Sequence, residues 1–91
     1  MTKDIKKLLH NHKELIHSDD LKVVSHVQRQ EDDWYINTIM IADIDVPFKY
    51  KRKQPYQSLI GTRVNLTYYR QVQLIAGMEF EFMKVVRLKQ S

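Results

Sequence analysis

From Leu21 to Leu88 apolar residues recur at every second position and β-branched side chains are frequent. That pattern commits most of the chain to strands. Residues 21–30 form the first, with Leu21, Val23 and Val27 on one face, and Glu31-Asp32-Asp33 is the turn after it. Residues 34–41 form the second. Its faces, Trp34/Ile36/Met40 and Tyr35/Ile39/Ile41, are both largely apolar, so it is expected in the middle of the structure with something packed on each side. Ala42-Asp43 is a tight turn into a third strand over 44–53, whose faces separate into Ile44/Val46/Phe48/Tyr50 and Asp45/Lys49/Lys51/Lys53. Pro47 sits on the polar face and cannot donate to a ladder, so this strand is predicted to lie at an edge or to contain a bulge.

Residues 54–62, punctuated by Pro55 and Gly61, are a loop. The fourth strand covers 63–74, with Val64, Leu66, Tyr68, Val72 and Leu74 in phase. After the turn Ile75-Ala76-Gly77 the fifth covers 79–88, with Phe80, Phe82, Val86 and Leu88 in phase and facing the core.

Ahead of the strands the period changes. Ile5, Leu8, Leu9, His12, Leu15 and Ile16 recur at three- and four-residue steps, the stripe of an amphipathic helix over 3–17. Thr2 is its N-cap, Asp4 and His17 suit the helix dipole at either end, and Ser18-Asp19-Asp20 stops it. The expected fold is therefore mostly β, of the α+β class: one domain over 1–91, with the N-terminal helix packed on a five-stranded antiparallel meander that curls into a small, partly open barrel. In outline it resembles small oligonucleotide-binding or SH3-like barrels, with no motif that belongs to one family.

A chain of 91 residues buries about two-thirds of its unfolded surface, enough for one core. With no cysteine, it offers no disulfide, thiolate metal site or cysteine nucleophile, which fits a reducing, cytoplasmic setting. No basic stretch followed by an apolar run marks a secretory signal at the N-terminus. The longest nearly apolar run, 39–44, is interrupted by Asp43 and falls far short of the roughly 20 residues that span a bilayer, so a soluble protein without a membrane partner is expected.

The net charge of +4 conceals an asymmetry. Residues 1–46 carry six Lys/Arg against nine Asp/Glu (−3), and residues 47–91 carry nine against two (+7). Seven of the nine aromatic residues, Phe48, Tyr50, Tyr56, Tyr68, Tyr69, Phe80 and Phe82, lie in the basic half. Cations neutralise phosphates and flat rings stack on bases, so this half is the candidate nucleic-acid surface. In it, Lys49, Lys51, Arg52, Lys53, Arg63 and Arg70 are the phosphate contacts and Tyr56 and Tyr69 the stacking platforms. Two plainer roles compete. Lysines and Pro47 along an edge strand prevent intermolecular pairing without binding anything, and Tyr69 serves equally as a cross-strand partner.

The remaining chemistry-bearing residues form no catalytic or metal set. His10 and His12 are two apart and face different ways on a helix, and His17 and His26 complete no ligand spacing. Asp43/Asp45 and Glu79/Glu81 are explained by turn chemistry and solvated strand faces. Two glycines cannot build a phosphate loop, and no serine has a nucleophile-elbow context. The expectation is a binding module without enzyme activity, cofactor or metal, whose partner is single-stranded nucleic acid bound without sequence preference. The alternative is a protein partner or a second copy, held through an exposed edge strand or the helix.

Overall fold

The structure is a computed structural model that describes residues 14–55 and 57–91. These form five strands: β1 (Ile16–Glu31), β2 (Trp34–Ile41), β3 (Phe48–Arg52), β4 (Arg63–Ile75) and β5 (Met78–Gln90). They close a barrel in the order β1-β2-β3-β5-β4, with β4 returning to β1. A meander would place β3 beside β4. Instead β5 lies between them and meets β3 in parallel at Phe48↔Met83 and Lys49↔Lys84, while β1 is long enough to pair with two neighbours. Its first half runs against β4, and its second half, from Val23, runs against β2.

That demand on β1 overrides the helical period at its start. Most of the expected helix, residues 3–13, lies outside the described residues. Glu14 and Leu15 have no regular structure, and Ile16 and His17 are strand residues paired with Tyr68 and Thr67. These two pairings extend a β1–β4 ladder that runs on through Ser18↔Leu66 and Leu21↔Val64 to Lys22↔Arg63, so tertiary pairing prevails over local propensity here. Ser18-Asp19-Asp20 is an irregularity in the ladder, not a helix stop, with Asp20 at φ 59° and its amide donating to Asn65 Oδ1 at 2.8 Å.

The third strand is also shorter than expected. Ala42 and Asp43 form the turn, Asp43 at φ 67°, and regular pairing begins only at Phe48. Pro47 has no N–H to give, but its carbonyl accepts from Met83 N at 2.8 Å and so starts the contact with β5.

The buried core is Val23, Ile39, Ile41, Phe48, Tyr50, Leu59, Val64, Leu66, Tyr68 and Val85, with Leu21, Ile44, Met83 and Leu88 packed against it. Phe48 and Tyr68 meet edge to face at 4.9 Å between centroids. Leu59, from the loop before β4, joins this core through a polar anchor beneath it. Its amide donates to His26 Nδ1 at 3.0 Å, which leaves Nε2 to carry the ring proton and donate to Oδ1 of the fully buried Asn37 at 2.8 Å.

Two further bulges change which residues face inward. The extra residue Val24 in β1 places His26 inside and leaves Val27, expected in the core, 60% exposed. In β5, Thr67 pairs with Arg87 and Tyr68 with Val85, so Val86 is skipped. Each one-residue insertion reverses every side chain beyond it. Val85 and Met83 therefore turn inward, while Phe80 and Phe82, expected in the core, turn out.

Candidate nucleic-acid interface

Alternation along β3 sends Phe48 and Tyr50 into the barrel and Lys49 and Lys51 outward. Register then joins Lys49 to its neighbours. Thr38 of β2 lies on one side and Lys84 of β5 on the other, and Lys84 in turn pairs with Tyr69 of β4. Paired residues share a face, so Thr38, Lys49, Lys84 and Tyr69 form one row across four strands. A second row contains Arg29, Ile36 and Lys51, and Phe82 faces outward opposite Gln71.

Rings and cations interleave on this face. Lys49 Nζ lies 5.0 Å from the Phe82 ring centroid, and Lys53 Nζ lies 4.7 Å from that of Trp34 at the start of β2. Contacts of this kind at exposed sites contribute about 0.5–1 kcal/mol, enough to orient a lysine and too little to remove it from a phosphate. A shallow depression of about 220 Å³ lies among Arg29, Glu31, Ile36, Lys49, Lys51 and Phe82. Its one carboxylate, Glu31, is engaged with Arg29 at 3.2 Å. Among the described residues, no carboxylate lies within ion-pair distance of Lys49, Lys51, Lys53 or Lys84.

The residues singled out from sequence therefore separate. Lys49, Lys51, Lys53 and Tyr69 share the outer face, with Tyr69 half-buried. Arg52 ends β3, its guanidinium 5.7 Å from the Tyr50 ring centroid, and faces the seam between β3 and β5. Arg63 is elsewhere: Nη1 reaches both the main-chain oxygen and Oδ2 of Asp20 at 3.4 Å. Arg70 pairs with Glu81 on the opposite side of the β4–β5 hairpin. Tyr56 lies outside the described residues. An edge-protecting role for Lys49 loses its premise, because β3 has strand neighbours on both sides there.

Sequence reasoning missed Trp34, Phe82 and Lys84. The signal for the last two was present in β5. Lys84 shares the phase of Phe80 and Phe82, and Val85 stands in the opposite phase, so a phase change was needed to bury both Val85 and Leu88.

Among the described residues, no three His, Asp or Glu side chains gather into a metal-holding group, and no helix is long and apolar enough to cross a membrane. No protein-family model, curated protein or solved structure matches this chain.

Proposed function

We propose that this protein binds single-stranded nucleic acid, with little sequence preference, across the outer face formed by β2, β3, β5 and β4. The observation that carries the reading is the set Lys49, Lys51 and Lys84, cations without carboxylate partners among the described residues, interleaved on one face with Phe82, Trp34 and Tyr69. Lysines neutralise the phosphates and the rings stack on bases, an arrangement indifferent to base identity because every base has a π-face. The architecture adds support by analogy. Five-stranded barrels of the oligonucleotide-binding type use the face of strands 2 and 3, with the loops between strands 1 and 2 and between 4 and 5, for such ligands.

Fluorescence anisotropy with a labelled oligothymidylate over a salt series tests this. Affinity falls with salt by about 0.7 logarithmic units per logarithmic unit for each phosphate neutralised. Lys49→Glu/Lys51→Glu weakens binding and flattens that slope. Phe82→Ala costs about 1–3 kcal/mol of affinity, the worth of one stacked base. Arg70→Gln, whose partner is Glu81, leaves the slope unchanged. No binding at about 50 mM salt, or a slope indifferent to the lysine pair, overturns the reading.

A second reading, protein association, is favoured by the apolar end of the β4–β5 hairpin, where Leu74 is 68% and Met78 62% exposed. Sedimentation of the full chain separates the two. Concentration-dependent association that Leu74→Ser/Met78→Ser abolishes supports the second reading.

A further inference from the structure

The ladder between β3 and β5 is only two residue pairs long. Past Lys49↔Lys84 the two parallel strands have no pairing across the seam, and a cleft of about 470 Å³ opens between them. Lys51 and Arg52 stand on its β3 side, Lys84 and Arg87 on its β5 side, and the buried Tyr50 and Val85 line it from the core. No carboxylate lines it. Arg52 is held at the wall by its contact with the Tyr50 ring.

We propose that this seam is a discrete site for a phosphate monoester dianion, occupied by the terminal phosphate of a strand lying on the adjoining face. The anion site stands on the cleft alone, whereas its occupant rests on the nucleic-acid reading above. Three observations converge on a monoester. Four cations surround one concavity, so a doubly charged ligand gains more from them than the single charge of a phosphodiester. Two of the four are guanidinium groups, whose planar forks match phosphate oxygens two at a time, and a monoester presents three such oxygens at a charge of about −1.5 to −2. The site also adjoins the end of the face: Lys51 and Lys84 line both the cleft and the depression beside Phe82. A strand tracking the lysines thus reaches the cleft without a turn.

The test compares an oligothymidylate carrying a 5′-phosphate, a 3′-phosphate or hydroxyl groups at both ends, titrated into the full chain at about 150 mM salt, where exposed charges are screened beyond roughly 8 Å. One phosphorylated form binds about tenfold tighter than the hydroxyl form, the equivalent of one charge-assisted hydrogen bond, and which form does so fixes the strand's polarity. Arg87→Gln removes that advantage and leaves the hydroxyl form's affinity as it was, and Arg52→Gln removes it as well. Arg87 is exposed, so its variant keeps the fold.

Equal affinity for all three strands overturns the site and leaves nucleic-acid binding standing. If no strand binds but inorganic phosphate shifts the amide resonances of Lys84 and Arg87, and Arg87→Gln abolishes the shift, the anion site stands and the nucleic-acid reading falls. A glutamate-rich peptide that displaces the phosphorylated strand at equal concentration overturns the phosphate assignment in favour of an acidic protein partner.

Discussion

The β4–β5 hairpin passes through two environments with one sequence pattern. Within the barrel, alternation buries Val64, Leu66 and Tyr68 on β4 and Val85 on β5. Beyond the Tyr69↔Lys84 pair the ladder continues without a break to Ile75↔Met78, yet Val72, Leu74, Met78 and Phe80 are about half exposed or more. The difference is what lies beside the hairpin. β1 reaches β4 no farther than Tyr68, and β3 touches β5 only at Met83 and Lys84. Past those points, among the described residues, neither strand has a second neighbour. An apolar side chain is stabilising only where something covers it, and backbone pairing alone does not supply that cover.

The largest expected effect comes from two leucines of the same hairpin. Leu66→Ala destabilises by about 2–5 kcal/mol, because it leaves a cavity in a closed core. Leu74→Ala changes stability by about 0.5 kcal/mol or less. Denaturant midpoints measure both. Equal losses would mean that the hairpin's far end is covered, and the contrast would collapse.

His26→Ala comes next, at about 1–3 kcal/mol, since it strips partners from the Leu59 amide and from buried Asn37 together. Hydrogen exchange at Leu59 accelerates in this variant. If it does not, the loop is held by Thr62 and Gly61 instead, whose backbone bonds to Val23 lie alongside.

Phe82 sits at the boundary between the two environments. Phe82→Ala costs about 1 kcal/mol or less of stability, the scale of a partly exposed ring beneath one lysine, while Phe48→Ala costs about 3–5 kcal/mol. A Phe82 loss as large as that of Phe48 would place the ring in the core and remove the bulge at Val86 from the account of β5.

The smallest effect is a gain at the hairpin's tip. Ala76 and Gly77 both have positive φ, 51° and 81°, the combination of a type I′ turn, in which Asn-Gly is favoured and a Cβ on alanine is strained. Ala76→Asn therefore raises stability by about 0.5 kcal/mol, read as a small upward shift of the thermal midpoint. A decrease would show that the turn tolerates alanine for a reason outside its backbone geometry.

Legibility from sequence followed the range of the physics involved. The strand character of the chain from Leu21 needed only period two and was readable, whereas both faces of β2 are largely apolar and period two alone did not say which turns inward. β3's split into Phe48/Tyr50 and Lys49/Lys51 was readable from period two. Phe80 and Phe82 were misread because a bulge is one residue long and leaves the composition unchanged. Ile16 and His17 were misread because their pattern also fits a helix, and their partners, Tyr68 and Thr67, lie about fifty residues away. For the candidate interface, Lys49, Lys51, Lys53 and Tyr69 were accessible to phase reasoning. The diversion of Arg63 to Asp20 and of Arg70 to Glu81 was not, since an ion pair forms by proximity in space.

What the sequence determined by itself is local. Alternation specifies strands, paired turn residues end them, and cations and rings crowd into residues 47–91. Tertiary structure alone decided that β5 enters between β3 and β4, which closes the barrel and brings Lys84 beside Lys49. It also decided that the β3–β5 seam parts after two pairs, leaving Lys51, Arg52, Lys84 and Arg87 around one cleft. The reason is that strand neighbours are chosen by closure of the whole sheet, and no residue carries a local preference for which distant strand will lie beside it.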